Sequence, residues 1–333
     1  MLFRSDLALA LAMIKVIIEE QLYDKEFVDK WCSGFENLKD RIAGYSIDTS
    51  SQITGINSQT IAGTARCFAK NGPAAIFSGL GIDQSGRSCT QALRALAILC
   101  AITGNIDRPG ACHLCEQPDF IPEADLEMSD ILPESCKDKQ LGSGILRLPT
   151  YAGYDELTRY TMLHGKRLPA RYLTSAHPFL AWRAMITGKP YPIRALTVMA
   201  SNPLLTQANT KTVYRALKSL DLLVVLEHYM TPTAMLADYV LPGAGSLEQS
   251  MMQMNGGVSN IAYGSHRAIE PLYERQTDYT FWYELGKRCS QEKHWPWESM
   301  EEAFDDVLSR AGLSWSEFCK TGLYSPERKY YKC

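Results

Sequence analysis

The chain of 333 residues has no uninterrupted apolar run of the roughly 20 residues that cross a bilayer as a helix. The Ala/Leu-rich stretch after Asp6 is cut by Lys15, Glu19 and Glu20, so no direct membrane span is expected. It also lacks a surplus of either charge. The 34 Lys and Arg residues stand against 37 Asp and Glu, a formal net charge of -3, and the basic residues are dispersed, which disfavours nucleic acid as a partner. Histidine is scarce: there are six, with no pair at the spacing that puts two metal ligands on one helix face. No Gly-x-Ser-x-Gly elbow accompanies them, and nucleophilic hydrolysis is unsupported. A Gly-x-Gly-x-x-Gly fingerprint is missing as well, because Gly79 and Gly81 are followed by Gln84, which argues against a nicotinamide-dependent Rossmann enzyme. The ten cysteines follow no regular spacing and fit free thiols better than a disulfide framework. Cys112 and Cys115 have Cys-x-x-Cys spacing, yet no second pair exists to complete a four-ligand site, so neither a disulfide between them nor a metal site is expected.

What the chain does contain is the composition of an ordinary globular protein, 46% apolar and 21% charged, at a length that suits two α/β units. Leu7, Leu11, Ile14 and Ile18 form the apolar stripe of a helix that opens almost at residue 1, and residues 328–333 stop without finishing any element. Both ends read as cuts within a longer chain. Residues 58–70 read as a helix capped by Ser58 and closed by Asn71-Gly72, followed by a buried strand at 74–78, a glycine loop, and a helix at 90–103 ended by Gly104. Residues 105–170 lose periodicity and collect prolines. A second strand–helix–strand unit follows at 195–200, 212–220 and 222–226, then a short strand at 239–241, a glycine-rich loop, and helices at 279–288 and 298–308. The expected fold is α/β: parts of two doubly wound, largely parallel-sheet domains joined by a long irregular connection. Residues 1–115 would be the second half of one such domain, 116–170 the connection, 171–250 part of the other domain, and 251–333 a loop and helical return.

Ligands of open parallel sheets bind beyond the carboxyl ends of the strands, and three loops here hold that position. Gly79-Leu80-Gly81 follows the first strand, either as a plain tight turn or as a place where backbone closely approaches a ligand. Ser201-Asn202-Pro203 follows the second, either as an ordinary turn or as a source of a hydroxyl and an amide for a pyrophosphate or pterin edge. Glu227 stands just past 222–226, either as a solvated loop acid or as an acceptor for ribose or base.

Taken together, these blocks resemble the molybdopterin oxidoreductase family, which includes formate dehydrogenases, nitrate and thiosulfate reductases and a non-redox hydratase. The resemblance rests on Asp6 through Ala10 and Leu22 through Val28, on Gly79-Leu80-Gly81 with the helix ending in Thr103-Gly104-Asn105, and on the ordered series Ala200-Ser201-Asn202-Pro203, Leu220 through Val225, Met230 through Ala234, and Ala237 through Pro242. It implies bis-molybdopterin guanine dinucleotide carrying molybdenum or tungsten, with Asp6, Gly79, Gly81, Ser201, Asn202, Pro203, Glu227, His228, Thr231 and Asp238 as cofactor contacts. In the resemblance Asp6 matches a guanine contact, Asn202 the pterin–phosphate region, and Glu227, Thr231 and Asp238 the nucleotide side. Asn255-Gly256-Gly257-Val258 departs from the family's usual Glu-Gly-Arg-like segment, while His228, Tyr229 and Pro232 are similar to the acetylene-hydratase and thiosulfate-reductase branches. The metal-ligating residue, a 4Fe-4S module and a carboxyl-terminal domain are expected outside the chain. A small-molecule substrate, an iron–sulfur electron-transfer subunit and a membrane-anchor subunit are the partners it allows. The rival readings are a non-catalytic electron-transfer or scaffold subunit that retains the fold, and a non-redox hydratase of the same family.

Overall fold

The computed structural model describes residues 5–83, 88–114, 132–143, 145, 176–254, 261–327 and 330. Cys115 and the 255–258 segment lie outside these residues. The chain divides into two compact units, residues 1–116 with 327–333 and residues 117–326. It is an α/β protein, with its strands confined to the second unit among the described residues.

The first unit is built around α1 (Asp6–Glu19), which packs against α4 (Ile47–Thr54), α5 (Ser58–Lys70) and α7 (Cys89–Ile102). Apolar residues all round a helix mark it as central rather than superficial, and Ala8, Ala10, Ala12, Met13, Ile14, Val16 and Ile17 are all buried. Fully buried Ile14, Ile17, Ile61 and Leu99 each contribute about 1.5–3 kcal/mol of transfer free energy. Lys15 is buried in the same helix and is satisfied there, its Nζ donating to Glu19 Oε1 at 2.7 Å and to the Ala43 carbonyl at 2.8 Å. The smaller helices α2 (Lys25–Trp31), α3 (Phe35–Ala43) and α6 (Leu80–Asp83) complete the unit.

Two local expectations change here. The cap of α5 is Asn57, whose side chain accepts the Thr60 amide at 2.7 Å, so the helix gains its oxygen acceptor one residue before Ser58. Residues 74–78 form no strand. Their alternate amides are taken by side chains: Ala74 N–H donates to Asn105 Oδ1 at 3.0 Å and Ile76 N–H to Cys112 Sγ at 3.3 Å. Asn105, fully buried, also accepts from Arg108 Nη2 at 2.8 Å and donates to Thr103 Oγ1 at 2.9 Å, so the Thr-Gly-Asn end of α7 is the clasp that holds this segment. Gly104 between them has φ +62°, and a Cβ there would lie 2.5 Å from Asp24 Oδ2, which leaves room for glycine alone.

The second unit carries a parallel sheet in the order β1 (Ala195–Met199), β2 (Leu222–Glu227), β3 (Tyr239–Pro242), with Ala195 beside Leu222 and Val224 beside Tyr239. Two short helices, α10 (Pro203–Thr206) and α11 (Thr210–Lys218), connect β1 to β2. Residues two apart on a strand share a face. Leu223 and Val225 join Val198, Val213, Ala216 and Leu217 in one core, with Trp182 and Met185 from α9 (Pro178–Thr187). A short helix, α8 (Glu134–Lys137), precedes α9. These strands and the α11 crossover agree with the sequence pattern to within two residues.

The stretch expected as loop after β3 holds further strands. β4 (Met251–Met254) and β5 (Ala262–Ser265) pair antiparallel, and β6 (Leu323–Tyr324) joins β5. A Cβ on Gly264 would lie 2.3 Å from the Met251 carbonyl oxygen, so this pairing depends on glycine. α13 (Met300–Ser309) and α14 (Trp315–Thr321) bring Val307, Leu308, Trp315 and Phe318 against buried Ala262. α12 (Asp278–Arg288) follows β5 in the chain, as the pattern indicated.

Candidate functional site

In the first unit, Asp6, Gly79 and Gly81 come together on the wall of one cleft of about 590 Å³, lined otherwise by Leu9, Ala10, Met13, Phe68, residues 75–78, Ile82, Leu96 and Leu99. The cleft is apolar with a carboxylate at one side. Neither glycine is demanded by the fold: neither has left-handed backbone, and an added Cβ on either would find nothing within 4 Å. The chain does turn here, Ile82 N–H donating to the Gly79 carbonyl at 3.1 Å, but the turn does not require glycine at either position, and there is open space above the backbone.

In the second unit, parallel pairing puts the loops after β1 and β2 at the same edge of the sheet, the carboxyl edge. Ala200 leaves β1 with left-handed backbone, φ +47°, which turns the chain into Ser201-Asn202-Pro203. Pro203 occupies the first turn of α10, where its fixed φ suits the helix and its missing N–H costs no bond. Asn202 precedes that helix, yet its side chain does not cap it. Instead Asn202 Oδ1 accepts the hydroxyl of Thr233 at 2.7 Å, and Thr233 Oγ1 in turn accepts the Leu204 amide at 3.2 Å. Ser201 is exposed beside it.

Glu227 ends β2, half-buried, with Oε1 accepting the amide of His228 at 2.8 Å. His228 and Tyr229 are exposed in the loop that follows, their rings 6.4 Å apart. Thr231 Oγ1 accepts the Ala234 amide at 3.2 Å and so starts the 3-10 turn at Ala234–Leu236. Thr233, two residues on and fully buried, is the member of this loop that the sequence reading passed over. Its signal was the second threonine of Thr231-Pro232-Thr233.

Asp238 does not join them. It precedes β3 and sits beside Leu223 at the amino edge of the sheet, with Oδ2 accepting the Leu223 amide at 2.7 Å while its own amide donates to the Leu223 carbonyl at 2.9 Å. The expectation that it lies with Asn202 and Glu227 is therefore corrected: in a parallel sheet an acid before one strand and an acid after its neighbour fall on opposite edges.

Among the described residues no group of three or more His, Cys, Asp or Glu side chains is placed to hold a metal ion, and no helix is long and apolar enough to cross a membrane. Cys32 ends α2 and Cys67 lies in α5, both as free thiols. Cys112 is a free thiol whose Sγ lies 3.6 Å from that of Cys100. Burial, reinforced by Cys112, pushes the Cys100 thiol up to about 12.

A parallel sheet with polar loops at its carboxyl edge defines the broad class of open α/β proteins, whose ligands bind at that edge. The chain belongs, more narrowly, to the molybdopterin oxidoreductase family, whose description matches residues 3–288. It is 37% identical over 327 residues to the acetylene hydratase of Syntrophotalea acetylenica, an alignment that covers 97% of this chain and 44% of that protein. It is 29% identical over 319 residues to formate dehydrogenase H of Escherichia coli, covering 91% of this chain and 40% of the relative. The solved acetylene hydratase from Pelobacter acetylenicus superimposes with a TM-score of 0.84 at 36% identity, covering 98% of this chain and 45% of that one. The chain thus spans less than half the length of these relatives.

Proposed function

We propose that this chain is the stretch of a bis-molybdopterin guanine dinucleotide enzyme's catalytic subunit that grips the cofactor by loops at strand and segment ends. The observation that carries the proposal is the pairing of Ser201-Asn202 with Glu227 at one edge of the β1–β2 sheet, within a chain of this family. The residues present fit such a group. Asn202 and Ser201 supply polar hydrogen-bonding groups for a pyrophosphate or pterin edge, Glu227 supplies an acceptor for ribose or base, and the cleft over Gly79 and Gly81 lets a ligand reach the backbone. When bound, two pterin dithiolenes carry the molybdenum or tungsten at which the chemistry takes place. The chain's own residues bind and orient, and none of them is assigned as metal ligand or as catalytic acid or base. The metal ligand, a 4Fe-4S module and an iron–sulfur partner subunit belong to the rest of this proposal.

Between the two chemistries of the family, the 37% identity along nearly the whole chain to an acetylene hydratase, against 29% to a formate dehydrogenase, favours a non-redox hydratase as the second reading.

The test is Glu227→Ala in the complete enzyme, with metal, pterin and guanine content measured beside turnover per bound metal. Removing one partner of a charge-assisted hydrogen bond lowers affinity by roughly one to two decades, so cofactor content is expected to fall while turnover of the loaded fraction is spared. Full occupancy with lost turnover would place Glu227 in catalysis and overturn the division between grip and chemistry.

A further inference from the structure

The side chain of asparagine ends in an acceptor and a donor of nearly equal size, so its chemistry toward a ligand depends on which one is turned outward. At Asn202 a buried hydroxyl makes that choice. We propose that Thr233 is a positioning residue that holds Asn202 with its amide nitrogen presented at the carboxyl edge of β1, so that this edge takes a group offering hydrogen-bond acceptors, the phosphate oxygens of a dinucleotide.

One proton fixes the orientation. Thr233 is fully buried, and a hydroxyl has a single hydrogen to give. One of its lone pairs is occupied by the Leu204 amide at 3.2 Å, and its hydrogen goes to Asn202 Oδ1 at 2.7 Å. Turning the amide over would bring the Asn202 nitrogen against the hydroxyl and take the acceptor away from the Thr233 proton in a buried place, which carries the cost of an unsatisfied donor. The oxygen is thereby held inward, and the two N–H groups are left for the half-buried outer side of the residue. The same contact ties the loop after β1 to the loop after β2, residues 31 apart in sequence. Because Leu204 hangs from the same hydroxyl, the start of α10 and the orientation of the amide are set together.

This inference rests on the dinucleotide reading above, and the experiment separates the two. The complete enzyme is purified as wild type, Thr233→Ser, Thr233→Val, Asn202→Asp and the Thr233→Val/Asn202→Asp double variant. Pterin and guanosine monophosphate released by acid are counted per protein, and the half-time of pterin loss on dilution is followed by fluorescence. Thr233→Val is expected to speed pterin loss about ten-fold, the loss of one hydrogen bond's worth of orientation, and Thr233→Ser to stay within about three-fold of wild type. Asn202→Asp keeps an oxygen facing Thr233 but replaces the outward N–H groups with negative charge, and it is expected to exceed Thr233→Val. Adding Thr233→Val to it then changes little. Pterin retention by Thr233→Val equal to wild type, or Thr233→Ser as poor as Thr233→Val, overturns the positioning role. If Thr233→Val does not accumulate, Asn202→Asp decides alone, and its silence in a loaded enzyme overturns the donor assignment while the dinucleotide reading stands. A wild-type enzyme that carries no pterin overturns both.

Discussion

Glu248 meets Arg275 across 27 residues of sequence, its Oε1 accepting from Arg275 Nη1 at 2.8 Å while the carboxylate itself is almost wholly buried, at 2% exposure. The same carboxylate accepts the amides of Gly245 at 2.7 Å and Leu272 at 3.0 Å, so one side chain gathers both ends of the segment that contains β4 and β5. These amides, and then Arg275, hold its carboxyl below the ordinary glutamate value of 4.5. A depressed carboxylate stabilises the folded state above its unfolded value, and that contribution is lost as pH falls through the lower folded one. Glu248→Gln is expected to lower the urea midpoint at pH 7. The gap to wild type should narrow below pH 4.5 and close as Glu248 protonates. Parallel midpoint curves for the two proteins down the whole acid range would show that the carboxylate charge does not matter.

Asp238 is expected to act in stability rather than in cofactor retention, because its carboxylate is committed to the Leu223 amide. Asp238→Ala should cost about 1–2 kcal/mol in urea unfolding. Pterin content per folded enzyme should stay at the wild-type level, unlike that of Glu227→Ala. Loss of pterin without loss of stability would return Asp238 to the binding site.

Gly81 lies in α6 with open space where a Cβ would sit. Alanine inside a helix is favoured over glycine by roughly 0.5–1 kcal/mol, so Gly81→Ala should leave the thermal midpoint unchanged or raised. If the cleft receives the dinucleotide, the added methyl lowers pterin retention at the same time. A variant that is both stable and fully loaded would remove the cleft from the proposed cradle.

Cys100 should resist alkylation in the folded protein. A thiol at about 12 is ionised at pH 8 in about one molecule in ten thousand, and only the thiolate reacts. Exposed Cys67, Cys136 and Cys289 are expected to be labelled by iodoacetamide first, and Cys100 only after denaturant is added. Mass spectrometry of peptides from a timed reaction checks the order, and early labelling of Cys100 would contradict its burial.

The longer helices and the parallel strands are legible because their signals are periodic and local, the apolar rows of α1, α5 and α7 and the runs at β1 and β2, whereas α3, α4, α9 and α14 go unannounced in the pattern. Residues 74–78 were misread because an apolar run does not say who satisfies its amides, and here Asn105 and Cys112 do. β4 was hidden by its composition, since Met251-Met252-Gln253-Met254 has no β-branched residue. The carboxyl-edge placement of Asn202 and Glu227 followed from strand direction alone. The same rule, applied to an acid that precedes its strand, would have set Asp238 on the other edge. Thr233 was out of reach because its role is a contact made over 31 residues, with no local pattern to announce it.

The left-handed bend at Ala200 separates the path of a loop from its content. Direction after β1 is set by the Ala200 torsion, by Pro203 and by the contact of Asn202 with Thr233, while the Ser201 hydroxyl stands outside that frame. Ser201 is exposed, so a change of its hydroxyl alters what the loop offers without moving where the loop goes. In the proposed cradle, the side chain at position 201 is therefore the one that can be re-tuned on an unchanged frame.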